Sequence, residues 1–273
     1  MDKRPIGVFD SGLGGLTAVR ELMRRLPGED IVYFGDTGRV PYGSRSPETI
    51  LKYARQDVAF LRTFDLKAIV IACGTVSTTS LDVLAAENPI PVLGVVGPAA
   101  RAAAGATRNG RIGLIGTQAS IRSGAYERYI AAENPAARVL AAACPLFVPL
   151  VENGRFHPGD VVIEPVCAEY LAPMKQAGVD TLVLGCTHYP LLEAVIGGYM
   201  GPGVKLVDAG AEGARAVEER LGADGALSGR GGGGNCRFFV SDRPEDFSRL
   251  ASIFLRRDVG ERVEQIDISR YQG

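Results

Sequence analysis

Short runs that are apolar from end to end punctuate the chain: "PIGVFD" (5–10), "DIVYFGD" (30–36), "KAIVIA" (67–72) and "IPVLGVV" (90–96), then "RIGLIG" (111–116), "RVLAAA" (138–143), "DTLVLG" (180–185) and "VKLVDA" (204–209). A strand with one wet face alternates apolar and polar residues, whereas a strand covered on both faces does not. Glycine-bearing turns and amphipathic segments separate the runs. "LTAVRELMRRL" (16–26) places Leu16, Val19, Leu22, Met23 and Leu26 on one side at helical period. Ser46, Pro47 and Glu48 supply an N-cap, a first-turn proline and an early acid for a helix over 47–64. Further helices are expected over 75–86, 119–132, 160–177 and 244–256. The succession predicts an α/β chain of mainly parallel sheets flanked by helices. "SGRGGGGN" (228–235) reads as a flexible surface loop leading to a late edge strand in "CRFFVSD" (236–242).

One pattern recurs. "LKAIVIACGT" (66–75) aligns with "VDTLVLGCTH" (179–188), and Cys73 and Cys186 fall in register. Their separation is about the length of one small α/β domain. The repeat predicts two pseudo-symmetric domains with the active site in the cleft between them. Residues 1–97 plus 208–273 form the Cys73 side, and 98–207 the Cys186 side.

In open α/β sheets, ligands bind outside the carboxyl ends of the strands. A cysteine just past a strand and just before a helix lies there, beside helix-start N–H groups. A thiol so placed can have its pKa lowered toward neutrality. Two of them on opposite walls suit a reaction that takes a proton from one face of a carbon and returns one to the other. Other strand-end residues can bind or tune: Asp10 and Ser11 in "FDSGLGG", Asp36, Thr37, Tyr42 and Gly43 in "FGDTGRVPYGS", Glu152 in "VPLVENG", and Thr187 and His188 in "GCTHYP".

Several classes are set aside. The net charge of −1 over 273 residues gives no basic footprint for nucleic acid. No apolar run reaches membrane-spanning length and the first residues lack a secretory pattern, so a cytoplasmic location is expected. Five cysteines without Cys-x-x-Cys, and two histidines, argue against a disulfide framework or a metal site. Cys144, Cys167 and Cys236 read as small buried hydrophobes. "DSGLGG" approaches a dinucleotide fingerprint, with Asp36 ending the next strand, but Thr17 stands where its third glycine belongs.

The stretches "IGVFDSGLGGLTAVREL" (6–22), "YFGDTGRVPYGSRS" (33–46), "IACGTVSTTSL" (71–81), "IGLIGTQASIRSGAY" (112–126), "PLVENG" (149–154) and "LGCTHYPLL" (184–192) carry a resemblance. The chain resembles the glutamate racemases of the cofactor-independent aspartate/glutamate racemase superfamily, over most of its length. The resemblance implies Cys73 and Cys186 as the two acid/base residues, with no pyridoxal phosphate and no metal. It implies Asp10 as helper on the Cys73 side, and Glu152 and His188 on the Cys186 side. Asp10, Ser11, Pro41, Tyr42 and Gly43 would bind substrate from one domain's loops, together with Gly74 and Thr75. Thr117, Thr187 and His188 would do so from the other. Glutamate is the implied substrate, D-glutamate for peptidoglycan the implied product, and a homodimer the implied assembly. Another acidic amino acid such as aspartate, or a catalytically impaired regulatory role, is the alternative. One position departs from the family pattern of cysteine-asparagine-threonine: Cys73 is followed by Gly74. A side-chain hydrogen bond to a charged substrate, worth about 1.5–3 kcal/mol, is thereby missing. Asparagine restored at 74 is expected not to lower turnover.

Overall fold

The computed structural model describes residues 1–257 and 263–272. Residues 258–262 and 273, which the expected first domain includes, lie outside the described residues. The first part of the chain runs β1 (Ile6–Asp10), α1 (Leu16–Arg25), β2 (Ile31–Gly35), α2 (Pro47–Leu61), β3 (Ala68–Ile71), α3 (Gly74–Thr79), α4 (Leu81–Glu87), β4 (Val92–Gly94) and α5 (Val96–Ala106). Next come β5 (Arg111–Gly116), α6 (Gln118–Ser123), α7 (Ala125–Glu133), β6 (Arg138–Ala143), α8 (Phe147–Glu152), α9 (Ile163–Gln176), β7 (Thr181–Leu184), α10 (Glu193–Met200) and β8 (Lys205–Asp208). The chain closes with α11 (Ala209–Ala223), β9 (Cys236–Val240), α12 (Pro244–Leu255) and β10 (Val263–Gln265).

Among the described residues two sheets result, ordered β10-β9-β2-β1-β3-β4 and β6-β5-β7-β8, with every pairing parallel. Strands β1, β2, β3 and β7 are buried along their whole length, as their unbroken apolar runs require. The helices cover them with the predicted stripes: α1 buries Leu16, Val19 and Leu22. The order β2-β1-β3-β4 in the first sheet repeats as β6-β5-β7-β8 in the second. Strands β3 and β7, which the sequence repeat aligned, are therefore equivalent. In each sheet the strand order reverses at the central pair, β1/β3 or β5/β7, which is where an open α/β sheet leaves a crevice at its carboxyl ends.

Three expectations change. The segment over 75–86 is two helices, broken at Ser80, whose φ of −134° leaves the helical region. The segment over 119–132 is also two helices, because Gly124 adopts a left-handed φ of 61°. β9 is not an edge strand. It pairs with β2 on one side and with the short β10 on the other. The glycine-rich stretch before it is anchored at its start, where buried Ser228 donates its N–H to Glu29.

Candidate active site

A cavity of about 410 Å³ opens at the carboxyl ends of both sheets. Cys73, Gly74 and Thr75 enter it from the β3–α3 junction, and Cys186, Thr187 and His188 from the residues after β7. Ser11, Pro41, Tyr42 and Gly43 line it from the loops after β1 and β2, and Thr117 from the end of β5. Glu152, grouped above with the strand-end residues, is instead the last residue of α8, and it also reaches the wall.

Asp10 is placed differently from the expectation that it binds substrate. It is fully buried and is not among the residues lining the cavity. Its carboxylate accepts the Gly12 N–H at 3.0 Å and the Thr187 hydroxyl at 3.5 Å, so it lies behind the wall. Burial pushes its pKa up, against the opposing pull of His188 and of the Gly15 and Gly12 N–H groups.

The two cysteines have different neighbours. The Cys73 thiol donates to Ser11 Oγ at 3.4 Å. Burial first, and then the charge of Asp10, push its pKa up to about 12, despite hydrogen bonds from Ser11 and from the backbone of Val76. At Cys73 desolvation of the thiolate outweighs the helix-start N–H groups, so the lowering that such a placement allows is not realised. Cys186 Sγ lies 3.9 Å from His188 Nδ1, and His188 Nε2 lies 2.9 Å from Glu152 Oε1. Burial alone would lower the His188 pKa, but the bonds to Cys186 and Glu152 prevail and hold it up at about 10. A protonated imidazole therefore stands between the sulfur and the carboxylate at neutral pH.

Tyr42 is held from behind. Its hydroxyl donates to Asp36 and lies 3.2 Å from Asp57. Arg39 bridges both acids, at 2.6 Å to Asp36 and 2.9 Å to Asp57, and Ser241 donates to Asp36 at 2.8 Å. Asp36 thus anchors the turn carrying Tyr42. Asp57 went unforeseen, yet a signal existed: it follows Ile50 and Ala54 at helical spacing, on the face of α2 that is buried. Burial, with the nearby Asp36 charge, raises its pKa well above the usual carboxylate range. Other wall residues that sequence reasoning missed include Gln118, Pro145, Val148 and Pro149. Cys144, read as a buried hydrophobe, is buried but also contributes to the wall.

The parts define a two-sheet α/β protein with a crevice at the carboxyl ends of both sheets and paired strand-end thiols. The sequence profile of the Asp/Glu/Hydantoin racemase family matches residues 10–217, and the chain belongs to that family. It is 48% identical to the glutamate racemase of Geobacter metallireducens, over 98% of each chain. Its fold superposes on a glutamate racemase isoform from Bacillus anthracis with a TM-score of 0.93, at 37% identity and 98% coverage of both. The glutamate racemase of Francisella tularensis, solved with D-glutamate, gives a TM-score of 0.91 at 36% identity, covering 99% of this chain and all of that one.

Proposed function

We propose that this chain interconverts L- and D-glutamate by a two-base proton exchange at Cys73 and Cys186. The observation that carries the reading is topological: the two thiols leave equivalent strands, β3 and β7, and enter one cavity. In one direction a sulfur takes the α-proton, breaking C–H and forming S–H. The other thiol then gives its proton to the opposite face of the carbanion, and the configuration inverts. Ser11, Thr75, Thr117 and Thr187 offer hydroxyl groups for the substrate's carboxylates, and Pro41, Tyr42, Gly43 and Gly74 shape the pocket. Asp10 acts through the Cys73 side without touching substrate, and His188 with Glu152 supports the Cys186 side. Residues 1–97 with 208–273, and residues 98–207, work as two halves that close on the substrate. The whole-length likeness to glutamate racemases supports glutamate as the substrate. D-glutamate would serve peptidoglycan synthesis in the cytoplasm, and a homodimer belongs to the same reading. Among the described residues no helix is long and apolar enough to cross a membrane.

Purified protein supplied separately with L-glutamate and D-glutamate, followed by circular dichroism without added cofactor, tests the substrate. Convergence of both samples on the racemate is expected, with L-aspartate unchanged. Inversion of aspartate alone would overturn the assignment.

A further inference from the structure

Gly74 follows Cys73 and Gly185 precedes Cys186, and the two glycines meet across the cleft. An ideal Cβ on Gly74 would stand 2.4 Å from the Gly185 carbonyl oxygen and 3.9 Å from Cys186 Cα. The first distance lies far inside van der Waals contact, so something would have to move. Gly185 is poorly able to move. Its N–H donates to the Ile115 carbonyl at 2.8 Å, and an ideal Cβ on Gly185 would stand 2.7 Å from that same oxygen. The carbonyl that meets Gly74 is therefore pinned to β5. A side chain at 74 is accommodated by moving the two cysteine-bearing junctions apart.

The same seam is tight elsewhere. The Thr75 and Thr117 hydroxyls are 2.9 Å apart, and buried Thr17 donates to the Thr187 carbonyl at 2.9 Å. An ideal Cβ on Gly43 would meet Thr117 Cβ at 2.7 Å. Backbone and short hydroxyl side chains thus hold the halves together on either side of the thiols.

We infer that Gly74 is the spacer that sets how far the two halves close, and with it the separation of Cys73 and Cys186 across the substrate. The inference rests on the two-thiol reading. In this chain the missing side chain is the functional feature. The asparagine of the family pattern would act here as a wedge, contrary to the tolerance expected from sequence.

The test compares Gly74→Ala and Gly74→Asn with Gly105→Ala, a control in α5 where an added Cβ meets nothing within 4 Å. Both Gly74 variants should lose about 10- to 100-fold in kcat for either enantiomer, as expected for misplaced acid/base groups. They should also alkylate faster at Cys73 and Cys186, which are only 4% and 8% exposed in the closed seam. The control should match the wild type in both respects. Should the Gly74 variants fail to fold, Thr17→Val removes a cross-seam hydrogen bond without touching the cavity wall, and the same pairing of slower turnover with faster alkylation is expected. Wild-type kcat in Gly74→Ala, or a loss of kcat without faster alkylation, overturns the inference. Racemisation surviving in Cys73→Ala would instead sink the two-thiol reading, whatever the Gly74 variants do.

Discussion

Cys73 faces the Ser11 hydroxyl at 3.4 Å with the buried carboxylate of Asp10 behind it, whereas Cys186 faces His188 at 3.9 Å. One sulfur has an anion for company and the other a cation. Before substrate arrives, burial and the nearby Asp10 carboxylate favour the protonated thiol at Cys73. The charged state of His188 also links the site to stability. Its pKa rises from the ordinary 6.5 to about 10 on folding. A raised folded pKa stabilises fully below the unfolded value, and that contribution is lost as pH climbs through the folded one. Wild-type protein should therefore lose unfolding free energy between pH 6.5 and 10. His188→Asn should lose less over the same interval in urea melts taken at each pH. Parallel slopes for the two proteins would mean that His188 holds no extra proton.

At the scale of elements, β1, β2, β3 and β7 were legible because burial on both faces leaves no room for polar residues, whereas β4, β6 and β8 are partly exposed edge strands that are apolar all the same. Every apolar run from "PIGVFD" to "VKLVDA" contains a strand. The helix breaks were harder, since Ser80 and Gly124 interrupt segments whose apolar spacing continues beyond them. β10 has only three residues, Val-Glu-Gln, which carry no strand signal alone, so β9 was read as the edge. The cysteines, hydroxyls and His188 of the site could be read because each lies within a few residues of a strand's carboxyl end. Gly74 could be seen as a departure, but not that Gly185 lies against it, because that contact joins distant segments. The opposite end of the first sheet holds a buried ion pair that sequence patterning also hides. Lys67, just before β3, pairs with Glu29 and donates to the carbonyls of Asp2 at 2.8 Å and Ala226 at 2.9 Å. It ties the first residues, the turn before β2 and the start of the glycine-rich loop together. Lys67→Met leaves Glu29 buried without its cation and should cost about 3–5 kcal/mol in denaturant unfolding. Racemisation by the folded fraction should persist, because Lys67 lies at the end of β3 away from the thiols. A change below 1 kcal/mol, ~the value of an exposed pair, would show that the ion pair is not carrying these segments.

The molecule as a whole repeats one sheet plan, β2-β1-β3-β4 and β6-β5-β7-β8, and puts a cysteine after the same strand in each. A reaction that needs matched groups on the two faces of one carbon is what such duplication provides. The extra strands β9 and β10 widen only the first sheet, on the side away from β3, so they leave the relation between the thiols untouched. Opposite-face chemistry makes a particular isotopic demand. With L-glutamate in D2O, the proton removed stays on one sulfur while the carbon receives deuterium from the other. At early conversion, mass spectrometry of the separated enantiomers should find deuterium in D-glutamate and almost none in the remaining L-glutamate, with the mirror result from D-glutamate. Deuterium appearing equally in recovered substrate and product, or product that keeps its original proton, would mean one group serves both faces and would contradict the account.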